Sequence, residues 1–223
     1  MKRNKNTRKQ IPGIIIACED SVSSPEYFKQ IVAGLKKDRK ISAKSFVIVP
    51  HRCNNPSGVL KDLLDYKNGE DITYKDFDSK WIVIDRDAQN KCGGSGHSAQ
   101  DFNNAIEKAK SKGVKVAYAN DSFELWYLLH FNYIDTSIMR DKILENVIYE
   151  LKIKFPTEFK NLTDKNIKTK EQTQKIYKAL LDIQQIAIKN AENLLRYYGE
   201  NHNPGEDNPS TTIHKLIIEL NKL

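Results

Sequence analysis

Short apolar runs at regular spacing in the first 120 residues limit the fold of this chain more than any other feature. Each run has the length and the β-branched content of a buried strand, and segments with apolar residues at helical spacing separate the runs. Strands that alternate with helices in this way form a parallel sheet with right-handed crossovers. We therefore expect an α/β fold with a parallel sheet of about four strands flanked by helices, the strands being residues 11–18, 45–49, 80–87 and 114–119.

The pattern changes near residue 133, beyond which helical segments dominate. Apolar residues recur at helical spacing in residues 138–151, 176–194 and 209–223. Residues 1–10 are polar and basic, which is typical of a mobile arm. We therefore predict three parts: a flexible basic arm (residues 1–10), an α/β domain (residues 11–132) and a helical subdomain that completes this domain (residues 133–223).

Composition limits the classes of function. With 223 residues, 39% of them hydrophobic, the chain is long enough to bury one sizeable core. Lysine and arginine outnumber aspartate and glutamate by 36 to 29, and the net charge of +7 fits a polyanionic partner such as nucleic acid. Three scattered cysteines give neither a disulfide framework nor a zinc-binding C-x-x-C pair. No apolar run reaches the roughly 18–20 residues that span a bilayer, so we expect a cytoplasmic protein without a membrane partner.

Polar side chains follow three of the four predicted strands, at the point where each strand ends. Glu19 follows the first strand, Asp85 and Asp87 follow the third, and Asn120 follows the fourth. The carboxyl ends of parallel strands meet at one edge of the sheet, so these side chains are expected to converge. If the third strand continues through Asp87, both aspartates lie on one side and Arg86 on the other. Such carboxylates suit a hard cation, Mg²⁺ or Mn²⁺, although two acids before a glycine-rich loop also fit a turn cap.

Four motifs together resemble those of one family. They are IIIACED with Tyr27–Phe28, WIVIDRD, the block NDSFELWYLLHF and the terminal NPSTTIHKL. In these motifs, which span nearly the whole chain, the sequence is similar to the RloB family. One segment differs, because the family commonly has Glu-Gly and then Thr-Glu between the first strand and its helix, where this chain has Glu19–Asp20 and Ser23–Ser24. The second acid of that segment is therefore absent near Ser24.

The resemblance implies a Toprim-like sheet whose acids hold one or two Mg²⁺ or Mn²⁺ ions for phosphodiester chemistry. It implies that Glu19 is a general base or metal ligand and that Asp85 and Asp87 are metal ligands, with secondary candidates at Asn120, Glu124 and His130. The implied activity is that of a metal-dependent endonuclease, a hydrolase acting on DNA or RNA, with tRNA as one option. Similar proteins are effectors of prokaryotic anti-phage defence by abortive infection, controlled by an RloA-like ATPase partner of the AAA/ABC type.

Two other functions fit the same residues. The acidic site can belong to a non-catalytic module that binds a nucleotide, while the helical part docks on the ATPase. It can also serve a phosphatase-like or nucleotidyl-transfer reaction that uses the same ions. The lysine-rich stretch, with eight lysines and three acids in residues 152–178, fits a bound phosphate backbone but also a solvated helical face.

Individual side chains also have structural interpretations. Glu124 follows Asp121 by three residues, so the two can form a capping box instead of a site. His130 lies six residues beyond Glu124, on a different face of the same helix, and it also fits a buried, hydrogen-bonded core position. None of the remaining histidines has metal-ligand spacing, and we expect them to be incidental: His51, His97, His202 and His214.

Overall fold

The computed structural model describes residues 11–39, 45–88 and 96–223. The predicted basic arm and most of the predicted glycine-rich loop lie outside these residues. The described part contains five strands: β1 (Ile11–Cys18), β2 (Phe46–Ile48), β3 (Phe77–Asp85), β4 (Lys115–Asn120) and β5 (Ser210–Thr211). It also contains eight α-helices: α1 (Ser23–Arg39), α2 (Pro56–Leu64), α3 (Ala99–Ser111), α4 (Glu124–Leu128), α5 (Arg140–Lys154), α6 (Lys170–Leu180), α7 (Gln184–Tyr198) and α8 (Ile213–Leu220).

The strands form one sheet in the order β2-β1-β3-β4-β5. The pairs from β2 to β4 are parallel, and β5 is antiparallel to β4. The predicted α/β class with a parallel sheet of about four strands flanked by helices is therefore confirmed, with β5 added as a short antiparallel fifth strand. The sequence does not predict β5, because its two residues stand directly before the apolar positions of α8 and share the segment expected to be one helix.

The side chains of the central strands alternate between two hydrophobic cores, one on each face of the sheet. In β1, Ile14 and Ile16 belong to one core, whereas Ile15 and Ala17 belong to the other. Helices α2 and α3 cover the second core, and α1 together with α4–α8 covers the first. Burial on both faces explains why these strands are nearly continuous apolar runs rather than alternating ones.

The chain leaves the two central strands in opposite directions. Helix α1 lies on one face of the sheet and connects β1 to β2, which pairs on the outer side of β1. Helices α2 and α3 lie on the other face and lead the chain to β3 and then to β4. The strand order therefore reverses between β1 and β3, and open α/β sheets bind ligands in the crevice beyond the carboxyl ends at such a point.

The residues after 132 share the larger core with the α/β part. The ring of Tyr27 on α1 lies 5.7 Å from that of Tyr127 on α4 and 5.2 Å from that of Tyr177 on α6, measured between ring centroids. Strand β5 also comes from this part of the chain and hydrogen-bonds to β4, with Ala119 opposite Thr211. The helical residues thus complete the same layered structure.

Two of the three helical segments predicted in the C-terminal part differ from the observed helices, since the segment 209–223 is helical only over Ile213–Leu220. The segment expected to be helical over residues 176–194 is divided, since α6 ends at Leu180, a 3-10 turn covers Leu181–Ile183 and α7 begins at Gln184. In the part of the chain that the structure describes, no helix combines the length and the apolar character needed to cross a membrane.

Candidate functional site

A cavity of about 440 Å³ lies beyond the carboxyl ends of β1 and β3, where the strand order reverses. The structure brings three predicted site residues, Glu19, Asp85 and Asp87, together in its wall. We call this space the acidic cavity; its lining residues are Glu19, Asp20, Asn54, Asn55, Asp85, Asp87, His97 and Arg140.

Glu19 connects the ends of the two central strands. Its Oε2 accepts a hydrogen bond from the backbone N–H of Asp85 at 3.1 Å, and its own N–H donates to the carbonyl oxygen of Val83 at 2.9 Å. Its Oε1 lies 2.7 Å from Nε2 of His97. The hydrogen bond and the negative charge of Glu19 raise the pKa of His97, which favours a charged imidazole beside the carboxylate.

Asp20 adds a fourth carboxylate that the sequence comparison did not assign to the site. It accepts hydrogen bonds from the backbone N–H groups of Val22 and Ser24, at 2.9 and 3.0 Å, and from the Ser24 hydroxyl. Burial raises the pKa of Asp20, and the bonds from Ser24 oppose that change. A second acid therefore lines the cavity just before α1, although Ser24 stands where the family commonly has one.

Asp85 and Asp87 reach the cavity by a different backbone path from the predicted one. The expectation that the strand continues through Asp87 is wrong, because β3 ends at Asp85 and Asp87 has a φ of 41°, in the left-handed region. The N–H groups of Arg86 and Asp87 instead donate to the carbonyl oxygens of Ala119 and Asp121, both at 2.9 Å. The turn that these acids were expected to cap, in the alternative interpretation, lies mostly outside the described residues.

The acids lie close enough to affect one another. Burial, together with the negative charges of Glu124, Glu19 and Asp20, raises the pKa of Asp85 well above its usual range. Glu124 is only 1% exposed and lies behind the cavity, with Oε1 3.1 Å from Nζ of Lys168 and Oε2 without a hydrogen-bond partner among the described residues. A buried carboxylate oxygen without a partner is costly, so a cation or water beside it would stabilise the fold.

The donor set fits a hard cation, but the acids are engaged with other partners. Carboxylate oxygens are the ligands that Mg²⁺ and Mn²⁺ prefer, and four line this cavity. Asp87 Oδ1 bonds to Nη1 of Arg140 at 2.5 Å, while Glu19 and Asp20 bond to His97 and Ser24. Within the described residues, no group of three or more His, Cys, Asp or Glu side chains is arranged to hold a metal ion. Arg140 and His97 therefore compete with a metal ion for the carboxylate oxygens that they contact.

The family assignment rests on nearly the whole chain. A family model described as RloB-like protein matches residues 14–220. The chain belongs to this family. Comparison with curated proteins and with solved structures found no match.

In this RloB-like protein, the secondary candidates occupy different places. Asn120 donates from Nδ2 to the carbonyl oxygen of Pro204 at 3.0 Å and does not line the cavity. Glu124 does not form the capping box: the carboxylate of Asp121 accepts instead from the N–H groups of Ala88 and Arg140, and α4 has no side-chain cap. Asp121 thereby holds the backbone on both sides of the cavity in place.

His130 lies in the hydrophobic core, away from the cavity. It is 1% exposed, its Nδ1 lies 2.8 Å from the carbonyl oxygen of Trp126, and its ring centroid is 4.8 Å from that of Trp126. Burial lowers the pKa of His130 to about 4. The position of His130 therefore supports its interpretation as a buried, hydrogen-bonded core residue.

The sequence missed several cavity residues for identifiable reasons. His97, which we expected to be incidental, contacts Glu19. In the sequence, the one feature that could have indicated this is that His97 follows the glycine-rich loop that comes after Asp85 and Asp87. Arg140 carries no local signal at all, because it lies 53 residues beyond Asp87 at the start of a helix. Of the other histidines, none lines the cavity.

A turn from the C-terminal part, residues 202–207, contacts the end of β3 through Arg86. Arg86 is buried and donates from Nε to the carbonyl oxygen of Gly205 at 2.7 Å and from Nη1 to that of His97. Within the turn, Nδ1 of His202 lies 2.6 Å from Oδ2 of Asp207. Arg86 does not line the cavity, and its two bonds fix the backbone between Asp85 and Asp87.

We predict that Gly205→Ala weakens this anchor. A Cβ at position 205 would lie 2.8 Å from the carbonyl oxygen of Ala99, so the turn must shift. The expected loss is roughly 1–3 kcal/mol in the free energy of unfolding, measured by urea denaturation. Gly69→Ala, whose Cβ meets nothing within 4 Å, is the matched control. Equal stability of the two variants would contradict the role given to Gly205.

Asp85→Asn is predicted to stabilise the protein in the presence of EDTA. The substitution removes one negative charge from a partly buried group of acids, which raises the free energy of unfolding by roughly 1–2 kcal/mol at neutral pH. Thermal and urea denaturation measure the change, with the exposed Asp78→Asn on the same strand as control. A clear loss of stability in Asp85→Asn alone would show that the acids do not repel one another.

His130 predicts a pH dependence of stability. Its folded pKa of about 4 lies below the value of about 6.5 of an exposed imidazole, so its contribution is complete above pH 6.5 and is lost as the pH falls towards 4. Between pH 7 and pH 5, the free energy of unfolding of His130→Gln should therefore fall by about 1–2 kcal/mol less than that of the wild type. The exposed His51→Gln is the control, and identical pH profiles for the wild type and His130→Gln would refute the effect.

Proposed function

We propose that this RloB-like protein is a metal-dependent nuclease that cleaves phosphodiester bonds of nucleic acid in the manner of Toprim enzymes. The observation that carries the proposal is the convergence of four carboxylates at the switch point of the sheet, with the unpartnered carboxylate oxygen of Glu124 behind them. The neighbouring acids help to raise the pKa of Asp85. Such an accumulation of negative charge favours the binding of a cation at this site.

The residues divide the chemistry among them. Asp85, Asp87 and Glu19 are the proposed ligands, and Asp20 supplies the acid that is absent at Ser24. A bound Mg²⁺ or Mn²⁺ would polarise the phosphoryl oxygen and lower the pKa of a bound water. As the alternative to a ligand role, Glu19 would act as the general base that accepts a proton from the attacking water, and its contacts with the Asp85 N–H and His97 support this role.

The positive charge of the chain supports a polyanionic substrate. The chain has a net charge of +7, and seven of the eight lysines in residues 152–178 are exposed. The eighth, Lys168, turns towards the acids and contacts Glu124. By its family, we further propose that the protein acts in prokaryotic anti-phage defence and that an RloA-like ATPase controls it.

One observation favours a second candidate, a non-catalytic nucleotide-binding module of a defence complex. The acids have internal partners, and the described residues hold no ready-made group of three metal ligands. A module of this kind would bind a nucleotide or its ATPase partner without cleaving anything.

The test combines metal binding and cleavage. We expect Mn²⁺ or Mg²⁺ to raise the melting temperature of the wild type but not of Asp85→Asn, since a ligand stabilises only the state that binds it. With the same ions, the wild type should cleave single-stranded DNA, RNA or tRNA, and Asp85→Asn or Glu19→Gln should lower the rate by about a hundredfold or more. Asp78→Asn should match the wild type.

The two candidates give different results. If the purified wild type is silent, its activated ATPase partner is added before the assay is repeated. Metal binding without cleavage under both conditions would favour the nucleotide-binding module, and the absence of any metal effect on melting would contradict the metal site itself.

A further inference from the structure

Arg140 is a cation placed inside the acidic cavity, where the proposed metal ligands are. It is the first residue of α5, and its backbone N–H donates to Oδ2 of Asp121 at 3.0 Å. Its Nη1 lies 2.5 Å from Oδ1 of Asp87. The side chain is 39% exposed, so the guanidinium faces both an acid and open solvent in the cavity.

Most of the hydrogen-bonding capacity of Arg140 is unused. A guanidinium has five N–H donors in a planar fork, and only the bond to Asp87 is formed among the described residues. A planar fork of this kind matches the oxygens of a phosphate in a bidentate geometry. The open donors therefore give the cavity a place for a phosphate group.

Lys168 adds a second positive charge next to the same acids. Its Nζ lies 3.1 Å from Oε1 of Glu124, and the side chain is 38% exposed. The positive charges of both Lys168 and Arg140 interact with the charge of Asp85. A scissile phosphate that approaches metal-bound carboxylates has to be met by groups of this charge.

A purely structural role does not account for the Arg140 pair. The Asp87 side chain is 34% exposed and that of Arg140 is 39% exposed, and ion pairs with this much solvent contribute little to stability. In this pair, Arg140 also occupies the carboxylate of Asp87, which the proposed reaction needs as a metal ligand. Once Asp87 turns to a cation, Arg140 loses its partner while remaining at the cavity wall.

We propose that Arg140, assisted by Lys168, binds the scissile phosphodiester of the nucleic acid, and that its bond to Asp87 is exchanged for the phosphate when metal and substrate enter. This inference rests on the proposed nuclease function and names the residues that hold its substrate. It assigns the positively charged residues that bind the substrate to the helical part of the chain, whereas the acids come from the α/β part.

The test measures binding separately from cleavage. Fluorescein-labelled single-stranded DNA and RNA oligonucleotides are titrated with protein in Ca²⁺, and binding is followed by fluorescence anisotropy at several salt concentrations. Arg140→Gln should bind roughly tenfold more weakly or worse, with the salt slope reduced by about one. Arg140→Lys keeps the charge but not the fork, so we expect an intermediate loss, and Lys168→Gln should also bind more weakly.

The control is Lys142→Gln, an exposed lysine on the first turn of the same helix that pairs with Glu145. It should bind the oligonucleotides like the wild type. Calorimetric titration with Mn²⁺ alone should show unchanged or tighter binding to Arg140→Gln, because Asp87 loses its competing partner. Arg140→Lys, which retains the ion pair to Asp87, keeps the test valid if Arg140→Gln does not fold.

Two outcomes would overturn the inference. One is wild-type oligonucleotide affinity in Arg140→Gln together with tighter Mn²⁺ binding, which would make Arg140 only an internal counter-ion. The other is an equal loss of affinity in Lys142→Gln, which would make the effect one of general charge. Arg140-dependent binding in a protein that never cleaves would support the phosphate site and contradict the nuclease function, so the two proposals fail separately.

Discussion

The parallel pairing of β1 with β3 is the interaction on which the rest of the structure depends. Its register sets Cys18 opposite Val83, so the two strands end side by side, and the N–H of Glu19 continues the pairing to the carbonyl oxygen of Val83. Because the crossovers leave these strands towards opposite edges of the sheet, neither covers the crevice between their ends. A slip of one residue in this register would move Asp85 away from Glu19 and would turn every side chain of β3 to the other core.

The concentration of acids at this point opposes the stability of the fold, and the chain offsets it with cations and backbone donors. Glu19 has His97 and the Asp85 N–H, Asp20 has the N–H groups before α1, and Asp87 has Arg140. The carboxylate of Asp85 has no such partner among the described residues, and burial and the neighbouring acids raise its pKa well above the usual range. Sites that retain uncompensated charge of this kind are common where function and stability conflict.

The parts of the fold that depend on local pattern could be predicted from the sequence. The four parallel strands follow from apolar runs of the right length, and the cavity position of Glu19 and Asp85 follows from the rule that strand ends meet. Asp87 shows the limit of the strand argument, because its left-handed backbone depends on hydrogen bonds to Ala119 and Asp121 that no local pattern reveals. The contacts of Arg140 with Asp87 and of Arg86 with Gly205 join residues 53 and 119 positions apart, and only the folded chain brings them together.

The helical part of the chain is therefore more than a cover for the sheet. Its residues reach the strand ends from two directions: Arg140 and Lys168 contact the acids Asp87 and Glu124, and Gly205 holds the arginine between Asp85 and Asp87. The N-terminus of α5 is fixed by the same Asp121 carboxylate that accepts from Ala88, just after the acids. The start of α5 is therefore tied to Asp87 through the Arg140 side chain and to Ala88 through Asp121. The charge balance of the cavity therefore depends on the packing of the helical part against the sheet as well as on the acids themselves.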